Sequence, residues 1–221
     1  MNQLDTFKTT PTKVNSQVDY ILLDGSSSMS QQWWDTLDAL QAYIDGVKAE
    51  RIQSQCLVHV FDSTDKDYIA RDVPIDQWQS MRSEGGGIGH HGGLTPLYDA
   101  VMLMGRRLRD MDPPRCSIVI ITDGDENNST FCDLTQAKNI LDWCRAKGWQ
   151  VTFIGANFAN DKQAAALGAN NASAIGVERK HLASAASNLA KKRARYGLYG
   201  TDMHFSDDEK QQFGGYLGHS K

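Results

Sequence analysis

The chain has 221 residues, 40% of them hydrophobic and 23% charged, which is enough for one domain with a sizeable core. Its net charge of −4 gives no electrostatic reason to bind nucleic acid or an anionic membrane surface. No apolar run approaches the ~20 residues of a membrane-spanning helix, and residues 1–19 lack the apolar stretch of a secretory signal. We therefore expect a cytoplasmic protein that binds neither membrane nor nucleic acid.

Apolar patterns predict strands and helices that alternate along most of the chain. The predicted strands are residues 18–24, 55–61, 67–73, 117–121, 151–155 and 172–177. Helical apolar spacing covers residues 33–47, 97–111, 134–144, 161–167 and 179–195, and Thr95 and Pro96 have the residue types of a helix cap and a first helical position. This alternation predicts βαβ units and a mostly parallel sheet that is covered by helices on both faces.

Composition divides the chain into three predicted parts. They are an N-terminal arm (1–17), an α/β domain (18–195) and a C-terminal extension (196–221) that is rich in glycine and aromatic residues. In the extension, Ser206 is followed three residues later by Glu209, which is a capping-box signature. A short helix is therefore predicted to begin near Asp207.

Oxygen-bearing side chains follow two of the predicted strands where they end. The first strand ends at Asp24, with Ser26 and Ser28 at the next alternate positions, and a later strand leads into Asp123. Thr95 follows a glycine-rich loop at the start of a helix. Because ligands of open α/β sheets bind at the carboxyl ends of the strands, these five residues could converge if the two strands are adjacent. Carboxylate and hydroxyl oxygens suit a hard cation such as Mg²⁺.

The stretch around Asp24 also has a purely structural interpretation. Asp24 would then close a turn, and Ser26 and Ser28 would cap the following helix. A site that has these side chains but works without metal is a further alternative. The turn-and-cap interpretation does not account for Thr95 and Asp123, whereas the metal-free site would still use them.

Together, the three segments resemble the metal-ion-dependent adhesion site of von Willebrand factor type A domains, whose pattern is D-x-S-x-S, then Thr, then Asp. The matching segments are Asp24-Gly25-Ser26-Ser27-Ser28, Gly92 to Ala100 around Thr95, and Ile120 to Gly124 around Asp123. The resemblance covers about residues 17–195. The run from Phe153 to Asn157 is similar to stand-alone members from bacteria and phages.

This resemblance implies a doubly wound, Rossmann-like α/β fold whose sheet has about six strands, one of them an antiparallel edge. It implies that Ser26, Ser28 and Thr95 lie nearest the metal, with Asp24 and Asp123 as direct or water-mediated ligands. The metal would be Mg²⁺, with Mn²⁺ or Ca²⁺ as alternatives. Two carboxylates would leave the cation able to accept another anionic oxygen, and an Asp or Glu of a partner protein would provide it, as the family's binding mode implies.

We therefore expect a metal-dependent protein-binding module that acts as an adaptor or assembly factor. The alternatives are a structural component, for example of a virion, and a metal-assisted hydrolase. The hydrolase lacks an obvious general base apart from His90 or His91, and the run from Gly25 to Met29 does not match a nucleophile elbow. No catalytic residues are predicted, and the chain is not expected to be an enzyme.

Four residues are candidates for a rim that contacts the partner. They are Trp33, His90, His91 and Asp125. Either Trp33 or its neighbour Trp34 could be an exposed anchor, since aromatic residues are enriched at interface hot spots. The two histidines could rim the metal, contact a partner or make binding sensitive to pH, or could simply be exposed in a loop.

One further acidic residue and one basic run each have two possible interpretations. Asp99, one helical turn after Thr95, would either bond to backbone or water near the site or stand solvated in the first turn of its helix. The basic run from Lys191 to Arg195 is predicted to be a solvated helix end that compensates the helix dipole, with a contact to nucleic acid or to an acidic partner as the alternative.

Overall fold

The computed structural model describes residues 16–64, 68–80, 82, 89, 92–123, 125–155 and 160–214, and its core is a six-stranded sheet. The strands are β1 (Gln17–Asp24), β2 (Ser54–Phe61), β3 (Tyr68–Pro74), β4 (Cys116–Ile121), β5 (Gln150–Gly155) and β6 (Ala174–Gly176). Their spatial order is β3-β2-β1-β4-β5-β6, with β3 antiparallel to β2 at one edge. This arrangement confirms the predicted doubly wound α/β fold.

Helices cover both faces of the sheet. They are α1 (Trp33–Ala49), α2 (Leu97–Met111), α3 (Leu134–Ala146), α4 (Asn160–Ala166), α5 (Leu182–Tyr199) and α6 (Asp207–Gln212). Along β1, Ile21 and Leu23 face the layer of α1 and α5, whereas Tyr20 and Leu22 face α2 and α3. This double burial explains why β1 is a continuous apolar run rather than an alternating one. None of the described helices is long and apolar enough to cross a membrane.

Two helix ends differ from the predictions. Helix α2 begins at Leu97, and Pro96 rather than Thr95 occupies the capping position. Helix α5 continues past residue 195 to Tyr199 and ends at Gly200, whose φ of +73° is the left-handed conformation that favours glycine. The boundary predicted at 195 therefore falls inside a helix. Residues 1–15 of the predicted arm lie outside the described part of the chain.

The segment that follows α5 packs on the domain. Met203, Phe205 and Phe213 are buried in the same apolar layer as α1 and α5. The predicted capping box is confirmed, because Ser206 Oγ accepts from the backbone N–H of Glu209 and the Glu209 carboxylate accepts from the N–H of Ser206. These contacts extend the core beyond the last strand of the sheet.

The prediction of a solvated basic end on α5 is wrong for Arg193, which is 0% exposed. Its guanidinium donates from Nε and Nη2 to the two carboxylate oxygens of Asp19 on β1, at 2.7 and 3.0 Å. Tyr43 of α1 donates to the same carboxylate at 2.6 Å. Lys191 and Arg195 are exposed, as predicted. Arg193 thus lies on the buried face of α5, whereas Lys191 and Arg195 lie on its exposed face.

Gly46 sets how closely α1 can approach α5. A Cβ added to Gly46 would lie 2.6 Å from the Cβ of Ala190. We expect Gly46→Ala to lower the free energy of unfolding by about 1–2 kcal/mol, because overpacking costs about 1–3 kcal/mol and outweighs the ~1 kcal/mol gain in helix propensity. Urea unfolding measures this. The double variant Gly46→Ala/Ala190→Gly should recover most of the loss, and a Gly46→Ala protein more stable than the wild type would contradict the contact.

Candidate metal centre

The ends of β1 and β4 bring the first and last predicted segments together. The two strands are parallel neighbours, with Leu23 paired to Ile121, so that Asp24 and Thr122 leave the sheet side by side. The Asp24 carboxylate is fully buried and accepts from Thr122 Oγ1 at 2.6 Å and from the N–H of Ser26 at 2.8 Å. Burial raises the pKa of Asp24, and these two hydrogen bonds only partly oppose that effect.

A chain of short oxygen contacts connects the serine loop, residues 25–28, to Asp123. Ser26 Oγ lies 3.0 Å from Ser28 Oγ, and Ser28 Oγ donates to Asp123 Oδ1 at 2.6 Å. The other carboxylate oxygen of Asp123 accepts from Gln32 Nε2 at 2.5 Å. Because Ser28 is exposed and Asp123 half-buried, whereas Asp24 is buried, the site opens to solvent on the side of Ser28 and Asp123.

The segment that leads into Thr95 lies against the serine loop. The N–H of Gly92 donates to the carbonyl of Gly25 at 2.9 Å, and Gly93 accepts from the N–H of Ser27 at 3.1 Å. Gly92 and Gly93 have φ of +127° and +80°, which favour glycine and explain part of the glycine-rich sequence before Thr95. Thr95 is buried two residues beyond these bonds. Asp24 at the end of β1 and the other four predicted ligands therefore lie in three segments that hydrogen-bond to one another.

The donor set fits a small, hard cation. It comprises two carboxylates and three hydroxyls, and no group of three His, Cys, Asp or Glu side chains among the described residues could hold a metal. A site for Mg²⁺ here would therefore depend on hydroxyl oxygens. Neighbouring ligands of an octahedral Mg²⁺ lie about 3 Å apart when each Mg–O distance is about 2.1 Å. The contacts of Ser28 Oγ with Ser26 Oγ and Asp123 Oδ1, 3.0 and 2.6 Å, are close to that spacing.

Asp99 stabilises a loop next to the site and is not a solvated surface residue. Its carboxylate is mostly buried and accepts from the backbone N–H groups of Thr130, Phe131 and Cys132 at 2.8–2.9 Å. The loop after Asp123 is thereby attached to the first turn of α2. This is the first of the two alternatives for Asp99, with the backbone as its partner.

The predicted rim is only partly reproduced. Trp33 is wrong as a rim residue, because it is 2% exposed and packs in the core between α1 and the sheet. The exposed tryptophan is Trp34, at 56%, and the guanidinium of Arg82 lies 5.0 Å from its ring centroid. Asp125 is exposed beyond Asp123. His90 and His91 lie outside the described residues.

Sequence reasoning missed three side chains that support the ligands. Thr122 and Gln32 hydrogen-bond to the two carboxylates, and Asn127 hydrogen-bonds to the backbone of Thr95. Thr122 could have been found as the hydroxyl that directly precedes Asp123. Gln32 is four residues after Ser28, a spacing that places side chains on one side of a helical turn. No pattern in the sequence pointed to Asn127.

The strand order, the antiparallel edge and the site between β1 and β4 define a fold of the von Willebrand factor A type. No protein-family model and no curated protein sequence matches the chain. Solved structures with similar folds include a von Willebrand factor type A protein from Catenulispora acidiphila, with a TM-score of 0.62 and 16% identity over 82% of this chain and 43% of that chain. The pilus adhesin SpaC from Lactobacillus rhamnosus GG, in its open conformation, has a TM-score of 0.65 and 11% identity over 84% of this chain and 31% of that chain.

A third similar structure is proximal thread matrix protein 1 from the mussel byssus, with a TM-score of 0.56 and 13% identity over 83% of this chain and 47% of that chain. The present chain spans less than half the length of each of these three structures. At such low identities the likeness establishes the fold alone.

Proposed function

We propose that the chain is a divalent-metal-dependent protein-binding module, acting as an adaptor or assembly factor in the cytoplasm of a bacterial or phage-infected cell. The observation that carries the proposal is the contact chain from Ser26 through Ser28 to Asp123, with the buried Asp24 beside it. A fold of the von Willebrand factor A type, found also in a pilus adhesin, supports an interaction role.

Asp24, Ser26, Ser28, Thr95 and Asp123 would hold the cation, which we expect to be Mg²⁺. When bound, it would supply a coordination position for an Asp or Glu carboxylate of the partner protein. The partner would approach from the side of Ser28 and Asp123, where the site is open. Asp24 would contribute negative charge from the buried side of the site, where hydrogen bonds from Ser26 and Thr122 hold its carboxylate in orientation.

The proposal is for a binding module without catalysis. Each carboxylate of the site accepts two hydrogen bonds, Asp24 from Thr122 and Ser26 and Asp123 from Ser28 and Gln32, and we assign both carboxylates to holding the cation and not to proton transfer. Magnesium-dependent turnover of a generic phosphoester that disappears in Asp24→Asn would instead favour a hydrolase.

The metal site is tested by calorimetric titration of Mg²⁺ into the wild type, Asp123→Ala and Asp125→Ala. We expect Asp123→Ala to weaken binding by at least about 100-fold, since loss of a ligand costs no less than loss of an outer-shell partner. Asp125→Ala is the matched control, because it removes an exposed acid two residues away and should change the affinity little. Equal heats for the wild type and Asp123→Ala would contradict the site.

Partner binding is tested by capturing proteins from lysate on the immobilised chain, in Mg²⁺ and in EDTA, and identifying those released by the chelator. The expected result is a partner that binds the wild type and the control Asp110→Ala in Mg²⁺, and that is lost both in EDTA and from Asp123→Ala. Asp110 is an exposed acid at the opposite end of α2 from Thr95. Replacing the acidic residues of that partner one at a time should reveal one carboxylate that is essential. A partner retained equally in chelator would contradict the adhesion mechanism.

A further inference from the structure

We propose that Asn127 is a positioning residue that holds Thr95 rigidly enough for the site to favour Mg²⁺ over Ca²⁺. The inference rests on the proposed function, because it assumes that Thr95 is one of the residues that hold the cation. It concerns a side chain that neither the motif nor its spacing singles out, and it adds a role for the loop that follows Asp123.

Asn127 engages both backbone groups of Thr95. The N–H of Thr95 donates to Asn127 Oδ1 at 2.8 Å, and the N–H of Asn127 donates to the carbonyl of Thr95 at 3.2 Å. Thr95 is 2% exposed, so water cannot readily replace the side-chain acceptor. The peptide groups on either side of the Thr95 Cα are thus both held by one residue.

Fixing this backbone also restricts the hydroxyl. Threonine is β-branched, so few χ1 rotamers are open to it once φ and ψ are set. Pro96 follows directly, and a residue before proline is confined largely to extended conformations. The Thr95 hydroxyl therefore has less freedom than a serine hydroxyl in an unconstrained loop would have.

Glu126, the residue before Asn127, is bonded to two helices. The N–H of Glu126 donates to Gln163 Oε1 of α4 at 2.8 Å. The Glu126 carboxylate accepts from the N–H of Tyr98 in α2 at 3.0 Å and from the N–H of Asn128 at 2.8 Å. Asn127, the residue through which Thr95 is held, therefore directly follows a residue that is bonded to two helices.

Rigidity of an oxygen ligand matters differently for the two cations. Mg²⁺ requires near-ideal octahedral geometry with Mg–O distances of about 2.0–2.1 Å, whereas Ca²⁺ accepts longer and more variable distances of about 2.3–2.6 Å. Releasing Thr95 should therefore lower the affinity for Mg²⁺ more than that for Ca²⁺. A residue that only stabilised the fold would change the melting temperature without changing the ratio of the two affinities.

The test compares Asn127→Ala with Asn127→Asp, which keeps an acceptor at the same place, and with the neighbouring control Asn128→Ala. Calorimetry gives the affinities for Mg²⁺ and Ca²⁺. Hydrogen exchange of the Thr95 amide in metal-free protein reports the restraint directly.

For Asn127→Ala we expect about a 10-fold loss of Mg²⁺ affinity, typical of an outer-shell partner, a loss of Ca²⁺ affinity below about 3-fold, and faster Thr95 exchange. The two other variants should keep the wild-type ratio.

A folded Asn127→Ala protein with the wild-type ratio of Mg²⁺ to Ca²⁺ affinity would overturn the inference while leaving the metal site intact. A wild-type protein that binds neither cation would overturn the proposed function itself, and with it the selectivity. Thr95→Ser provides a second variant should Asn127→Ala fail to fold. It keeps the hydroxyl but loses the branched Cβ, so its ratio should also shift toward Ca²⁺, and an unchanged ratio there counts equally against the inference.

Discussion

Arg193→Met is expected to lower the free energy of unfolding by about 3–5 kcal/mol, the range for breaking a buried ion pair by removing one partner. Asp19 is fully buried, so its carboxylate would remain in the core without the guanidinium that now binds both of its oxygens. Burial opposes the charge of Arg193, yet the adjacent Asp19 carboxylate outweighs that effect and raises the pKa of the guanidinium. A methionine can fill the space but cannot compensate the charge.

Urea unfolding monitored by circular dichroism measures this loss. Arg195→Met is the matched control, since it makes the same change at an exposed position of the same helix and should alter stability by less than about 0.5 kcal/mol. The double variant Asp19→Leu/Arg193→Met should be more stable than Arg193→Met alone, because no charge is left unpaired. Equal stability of Arg193→Met and Arg195→Met would show that the pair is not a structural element.

Asp24→Asn is expected to abolish the response to Mg²⁺ while leaving the metal-free fold about as stable as the wild type. The amide oxygen can still accept from Ser26 or Thr122, and the buried charge, whose desolvation raises the pKa of Asp24, is removed. Asp24→Ala should abolish the response too, but should also lower the free energy of unfolding by about 1–3 kcal/mol, since buried donors lose their acceptor.

Thermal unfolding with and without Mg²⁺ distinguishes these outcomes. A ligand at 100 times its Kd stabilises a folded protein by about 2.7 kcal/mol, so the wild type should melt at a higher temperature in saturating Mg²⁺. Asp24→Asn should show no such shift, whereas Asp125→Asn should keep it. A shift of wild-type size in Asp24→Asn would mean that Mg²⁺ binds elsewhere and that Asp24 has only a structural role.

Local patterns predicted most of the fold because each depends on neighbouring residues alone. The apolar run of β1 and the four-three spacing of α1 indicate burial wherever the segments finally lie. The exact ends of helices were less predictable. Thr95 has the residue type of a helix cap, but α2 begins at Leu97. The segment around Thr95 is instead bonded to the serine loop and to Asn127. Competition from tertiary hydrogen bonds decided that boundary.

Trp33 and Arg193 differ in how far the sequence predicted their burial. Trp33 lies on the four-three apolar stripe of α1 with Leu37 and Leu40, a pattern that favours its burial over that of its neighbour Trp34 and argues against its place in the rim. Arg193 lies in a basic run that resembles an ordinary helix end. Its burial depends on Asp19, which is 174 residues earlier in the chain, and no local signal connects the two.

By itself, the sequence predicted the class of fold and, through the motif that its three segments resemble, the donor set of the candidate metal site. The positions agree with that motif because Asp24, Ser26 and Ser28 follow one buried strand and Asp123 follows another, and parallel strands end at a common edge. Only the tertiary structure decided that β1 and β4 are neighbours, that Ser28 contacts Asp123, and that Asn127 holds Thr95. Those contacts join residues that are 32 to 98 positions apart, and they form only when the sheet and its loops are assembled.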